Sequence, residues 1–259
     1  MKKASFSVDT EKDLHSDSYL GISSGIKKLV KILDKNQIKA TFFVTGEVLK
    51  KYPAIFKKLN DEGHEIGIHG YSHRRFDSLD LREKEEEIEN CISVYKKMFK
   101  TNPKAFRAPQ HSIDNETISL LKKRGFVYDS SICSRNVMLL RHLFKSGSNK
   151  AQIVRSFFGK SKPYKFSNGL TEIPRSSPLL ALGGFELKVY PIWLIGLILF
   201  MHRTFGIPLN FVMHSWDLVD TPGSLTSKIM KADKFEVILD NFIKKAKAKY
   251  KFVKMEELI

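Results

Sequence analysis

Short apolar runs alternate with longer amphipathic stretches along most of this chain, and that alternation leaves few architectures open. Phe6–Val8 reads as a strand, and residues 25–34 place Ile26, Leu29, Val30 and Leu33 on one helical face. Ala40–Val44 is β-branched and aromatic, which suits a buried strand. Pro53 opens the next helix and Gly63 ends it. Glu65–Ile68 is again a strand, Leu81–Phe99 a long helix with a charged face, and Ala105–Arg107 a strand. Asn115–Arg124 is a helix closed by Gly125, and Val127–Asp129 a strand. The rhythm returns at Leu209–Met213, Lys234–Lys249 and Phe252–Val253. Such units predict an α/β fold with a parallel sheet and outer helices, open or closed into a barrel.

The 259 residues are enough for one barrel-sized domain, and no linker or repeat divides them, so residues 1–259 are read as a single domain. Nineteen phenylalanines support a sizeable core. Residues 134–170, rich in Lys, Ser and Gly, break the rhythm and are expected to form a basic insertion. Cys91 and Cys133 lie in no metal-binding spacing, so a disulfide framework is not expected and a reducing compartment fits. The apolar stretch after Met1-Lys2-Lys3 is too short for a secretory signal, so a cytoplasmic location is expected.

The net charge of +16 implies a polyanionic surface or ligand, or simply a lysine-rich solvated surface. No recognised nucleic-acid-binding motif accompanies it, so no nucleic-acid partner is expected. Residues 192–201 are wholly apolar but too short to span a bilayer. They are expected to be a buried core helix, with an interfacial helix as the alternative.

In parallel α/β folds chemistry gathers at the carboxyl ends of strands. Asp9, His69, Arg107, Asp129 and His214 each lie at or just beyond such an end. His69 and His73, four apart, are expected to share one face of a helical turn. A carboxylate from the cluster Asp9, Glu11 and Asp13 could complete a two-histidine, one-carboxylate site, a donor set used for catalytic zinc and other divalent metals.

These motifs, in this order, resemble the polysaccharide deacetylase superfamily, which shares the NodB homology domain, over roughly residues 4 to 217. The resemblance implies a distorted (β/α) barrel of about seven parallel strands. Phe6-Ser7-Val8-Asp9-Thr10-Glu11 is similar to the branch with acid-x-acid spacing, acting on lipid-linked sugars. By that match Asp9 is the general base, and Glu11 joins His69 and His73 as metal ligands, with Asp13 a competitor for the carboxylate position. Phe106-Arg107-Ala108-Pro109-Gln110 matches the motif whose arginine pairs with the base. The N–H near Gln110 would serve the oxyanion, and Pro109 would line the substrate site. Asp129 loosely matches the aspartate that tunes the catalytic histidine, and His214 matches the general acid. Glu172-Ile173-Pro174 resembles a pocket-lining segment, whereas His64, ahead of its strand, is read as structural.

The implied reaction is metal-dependent removal of an N-acyl group, acetyl or formyl, from an amino sugar. Zinc is the first choice of metal; manganese, cobalt, nickel or iron would suit the same donors. The charge and the apolar segment point to a precursor glycan that is polyprenyl-diphosphate-linked or nucleotide-linked, handled at the inner face of an anionic membrane. A ureide-type amide hydrolase and a non-catalytic glycan-binding relative are the alternatives.

Overall fold

Strand β1 (Lys2–Thr10) extends well beyond the apolar run that marks it in the sequence, and the sheet is assembled around it. In the computed structural model, which describes residues 1–13, 16–135, 157–221 and 225–259, β10 (Leu209–His214) pairs with Ala4–Asp9 along one edge of β1. The other edge is shared. β11 (Tyr250–Val253) takes Lys2–Ser5, and β2 (Thr41–Val44) takes Ser7–Thr10. Beyond β2 lie β3 (Glu65–Ile68), β4 (Ala105–Phe106), β5 (Tyr128–Asp129) and β8 (Thr171–Glu172), all parallel. β7 (Tyr164–Lys165) ends the sheet as an antiparallel strand. The path from β10 to β8 therefore holds the seven parallel strands expected, curled into a half-barrel that stays open. A second, two-stranded sheet joins β6 (Cys133–Ser134) to β9 (Arg175–Ser176).

The helices form where their apolar spacing demands. Ile26–Lys35 buries Ile26, Leu29, Ile32 and Leu33, one stripe of its surface. Leu81–Phe99 begins with a reciprocal cap: the Asp80 carboxylate accepts from the Glu83 N–H and the Glu83 side chain accepts from the Asp80 N–H. The core between sheet and helices mixes aliphatic and aromatic side chains, with the Phe6 ring tilted against Phe211 at 5.0 Å and Phe106 edge-on to Phe76. His64 is buried against Phe42, and its Nδ1 accepts the Ala40 N–H; burial lowers its pKa to about 4, so the ring is neutral.

Of the stretch 134–170, Ser134 and Tyr164–Lys165 lie in strands, and residues 136–156 lie outside the described residues. One expectation needs correction. The apolar segment forms the helix Ile192–Thr204, but it is not a core helix. Only Ile198, Leu199 and His202 are buried, because a helix on the flank of the sheet has a single face to pack.

Two glycines separate close packing from open space. A Cβ on Gly25 would sit 2.2 Å from the Ser215 carbonyl oxygen, whereas Gly196 has nothing within 4 Å. Gly25→Ala is expected to lower stability by about 1–3 kcal/mol through overpacking. Gly196→Ala is expected to raise it by about 0.5–1 kcal/mol through helix propensity. Urea unfolding of both variants checks the contrast.

Candidate metal centre and active site

Strand register brings the candidate residues together. Asp9 of β1 is the direct partner of His214 at the end of β10. Val44, Ile68, Phe106, Asp129 and Glu172 stand side by side across β2, β3, β4, β5 and β8. The residues that follow Ile68 and Phe106, His69 and Arg107, thus share the same rim. Two bonds tie them: the Arg107 N–H donates to the Ile68 carbonyl, and His69 Nδ1–H donates to the Arg107 carbonyl at 2.8 Å.

That second bond fixes the His69 tautomer and leaves its Nε2 facing Glu11. Nε2 of His69 is 3.3 Å from one Glu11 oxygen, and Nε2 of His73 is 3.1 Å from the other. Donor atoms of the three residues all lie within 4.8 Å of one another. Glu11 Oε2 is buried and, among the described residues, lacks a hydrogen bond of good geometry. Burial pushes the Glu11 carboxyl up, but the two imidazoles more than offset this and hold it below the usual carboxylate range. Two ring nitrogens and a carboxylate thus converge as a donor set that could hold a metal ion. The residues therefore fit a divalent ion, with imidazole and carboxylate donors suited to zinc and its neighbours.

The histidines do not meet on a helical turn, as their spacing predicts. They are carried by a loop whose Gly70 and His73 have φ of +70° and +61°. A left-handed conformation at a non-glycine residue costs free energy and marks a site where the surroundings impose it. The Glu87 carboxylate holds the loop, accepting from the Tyr71 and Ser72 N–H groups at 2.7 and 3.1 Å.

Hydrogen bonding distinguishes Glu11 from Asp13. Asp13 accepts from the N–H groups of Leu20 and Gly21 at 2.7 and 2.9 Å and from the Ser18 hydroxyl, so its oxygens are occupied in closing its own loop.

Arg107 is completely buried. Nη1 donates to Asp9 Oδ1 at 2.6 Å, Nε to the Ser130 carbonyl at 3.0 Å, and Nη2 to the hydroxyls of Ser7 and Ser130 at 3.1 and 3.0 Å. The guanidinium also lies 4.1 Å from the centre of the Phe43 ring. Burial alone would raise the Asp9 pKa; Arg107, His69 and His214 reverse that and lower it to about 2. Asp9 is therefore ionised at neutral pH.

His214 is the exposed member, its side chain partly open to solvent and its ring stacked on Trp216 at 4.4 Å. Its carboxylate neighbour is Asp217 and not Asp129. Asp217 Oδ2 accepts the His214 N–H at 2.9 Å and lies 3.9 Å from its Nδ1. Asp217 is itself paired with Lys188 at 2.8 Å, both nearly inaccessible to water. Asp129 accepts from the N–H and hydroxyl of Ser131 and shares a hydrogen bond with Glu172. Glu172 does not line the pocket either. The pairing of β8 with β5 buries it against Asp129, where burial and that neighbouring charge push it well above the usual range. One proton shared between the two carboxyls is what such a pair requires. Ser131 passes the support on, its hydroxyl accepting the Ala108 N–H at 2.8 Å. The pair thus braces the loop that carries Pro109 and Gln110.

Pro109 is buried near Gly70. Gln110 is exposed at φ +54°, and its amide oxygen accepts from Arg75 at 3.4 Å. His111, overlooked in the sequence, also belongs here. Its Nδ1–H donates to the Ser131 carbonyl at 3.1 Å, and burial lowers its pKa to about 3 despite the attraction of Asp9. Lys188 and Asp217 were likewise missed. Their one signal is that Lys188 follows Gly183-Gly184 in a stretch with Glu186 as its only other charge, and a Cβ on Gly184 would meet Asp217 Oδ2 at 2.5 Å. Glu11 and His73 open onto a cleft of about 360 Å³, lined also by Lys12, Tyr19, Ser72 and Trp216.

Part of the chain is similar in sequence to known proteins. Residues 15–128 match the polysaccharide deacetylase family model. That match takes in a little under half of the chain. The chain is 36% identical over 129 residues to the peptidoglycan deacetylase-like protein of Gibberella zeae, covering 48% of this chain and 38% of that protein. It is 31% identical over 124 residues to the peptidoglycan deacetylase of Helicobacter pylori, covering 48% of this chain and 42% of that one. The matches thus span about two-fifths of the length of these curated relatives. The fold match is wider. A crystal structure of a family protein from Mycobacterium smegmatis superposes with a TM-score of 0.70 at 18% identity, covering 99% of this chain and 88% of that one.

Arg107→Leu strands Asp9 in the interior, and the expected loss of stability is about 3–5 kcal/mol at neutral pH. The folded Asp9 pKa lies below its ordinary 3.8, so the pair's contribution is full above about 4 and fades as pH falls toward 2. Urea unfolding across this range should show the gap between wild type and variant narrowing with acid.

Proposed function

We propose that this protein is a metal-dependent hydrolase that removes an N-acyl group, acetyl or formyl, from an amino sugar. The observation that carries the reading is an ionised carboxylate, Asp9, fixed by Arg107 beside the cation-seeking cluster of Glu11, His69 and His73. A binding protein has no use for a base held in that way. The family match and the peptidoglycan deacetylase name of the Helicobacter pylori relative support the same chemistry.

A divalent ion held by Glu11, His69 and His73 would supply Lewis acidity to the amide carbonyl and to water. Asp9 then removes a proton from the attacking water. Arg107 keeps Asp9 ionised and aimed. The new C–O bond forms as negative charge gathers on the carbonyl oxygen, and the backbone N–H at Gln110 donates to it. His214, paired with Asp9 across the strands and backed by Asp217, gives a proton to the leaving nitrogen as the C–N bond breaks. The products are the free amino sugar and a carboxylate. Trp216 and Tyr19 offer apolar faces along the cleft for sugar rings. For the carrier, the net charge of +16 favours a phosphorylated one, a lipid-linked or nucleotide-linked glycan precursor, over a neutral chain.

Metal analysis of protein purified without added metal should find near-stoichiometric divalent ion in wild type and Asp13→Asn, and loss of it in Glu11→Ala and His69→Ala. Release of acetate or formate from N-acyl amino sugars should fall by roughly 10²–10⁴-fold in Asp9→Asn with the ion retained. Undiminished turnover in Asp9→Asn would rule out the assigned base.

A further inference from the structure

We propose that the outward face of the helix Ile192–Thr204 is a docking surface for an anionic lipid bilayer. Its sequence is apolar through ten residues, yet its packing buries only Ile198, Leu199 and His202. Ile192, Trp193, Leu197 and Phe200 are turned to solvent, the first two and the last 77%, 69% and 63% exposed. Trp193, Leu197 and Phe200 follow at helical spacing, so they form one continuous stripe. Phe205, just past the helix end, extends it. A stripe of large apolar side chains in this arrangement marks an interaction surface.

Charge identifies the occupant. Where the stripe ends, Phe200 and Arg203 form an open groove of about 670 Å³ with Lys2 and Lys249, and no acidic residue is among its described lining residues. The ammonium groups of Lys2 and Lys162 both crowd Gly206, within 3.3 and 3.6 Å of where its Cβ would stand. Like charges gathered beside exposed aromatics suit a surface that is apolar within and negatively charged at its rim. A protein partner would have to supply both; an anionic bilayer has both by construction. Among the described residues no helix is long and apolar enough to cross a membrane, so the contact is interfacial.

The placement is consistent with use. Just before this helix, Lys188 contacts Asp217 beside His214, at the catalytic end of the sheet. Phe200 and Arg203 lie beside Lys2, at the opposite end of β1. The helix therefore runs along the flank of the half-barrel, and docking along it leaves the cleft uncovered. The inference stands on this surface alone and does not depend on the deacylase reading.

The test is co-sedimentation with vesicles at physiological ionic strength, using phosphatidylcholine alone and phosphatidylcholine with phosphatidylglycerol at about 7:3. The protein should bind only the anionic vesicles. Binding should weaken by roughly tenfold or more in the exposed-face variant Trp193→Glu with Phe200→Glu, in Arg203→Glu with Lys249→Glu, and at high salt. In a Trp216→Phe background, Trp193 emission should shift to the blue on binding. Failure to bind anionic vesicles, equal binding to neutral ones, or unchanged binding by either double variant would overturn the proposal. So would a wild-type dimer that Phe200→Glu dissociates in sedimentation, since the face would then belong to a second copy.

Discussion

Arg107 has no water around it, and a guanidinium in that position must find every partner within the protein. It does so in Asp9, Ser7, the Ser130 carbonyl and hydroxyl, and the face of Phe43. A buried ion pair is not a cheap way to stabilise a fold, because desolvation opposes much of the attraction. Its effect here is geometric and electrostatic. It joins β1 to the loop after β4 across the sheet, keeps Asp9 ionised, and sets the backbone carbonyl that orients His69. Base and metal cluster are thereby fixed to each other through one residue.

Around that pair the parallel register does the positioning. Asp9 and His214 are neighbours because β1 and β10 align them, and His69 and Arg107 are neighbours because β3 and β4 do. The less regular elements are held by carboxylates: Glu87 clamps the histidine loop, Asp13 closes the loop after Glu11, and Asp217 anchors the turn after His214. Each is itself a polar group removed from water. The chemistry at the rim is assembled by polar side chains whose partners lie within the structure or would be supplied by a bound ion.

Much of this was legible in the sequence because it is local. Strand and helix units follow from periodicity, and residues such as Asp9 and His214 lie where strands end. What was missed depends on tertiary context. The four-residue spacing of His69 and His73 matches a helical turn, yet Gly70 and the left-handed His73 bend the chain differently. Asp129 and Glu172 carry the charge expected of site residues but are matched across β5 and β8, so they face each other and not the cleft. The carboxylate at His214 comes from three residues downstream, with a lysine from a separate helix behind it, and neither has a periodic signature. The exposed stripe of Ile192–Thr204 was read as core because apolar content alone does not say which side of a helix finds a partner.

The central claim is that Glu11, His69 and His73, and not Asp13, form one metal centre beside Asp9. The most direct measurement is anomalous diffraction at the zinc edge from crystals grown with zinc. The account predicts a single strong peak with both Nε2 atoms at about 2.0–2.1 Å and a Glu11 oxygen at about 2.0–2.2 Å. A peak ligated by Asp13, or no peak among these three residues, would contradict it.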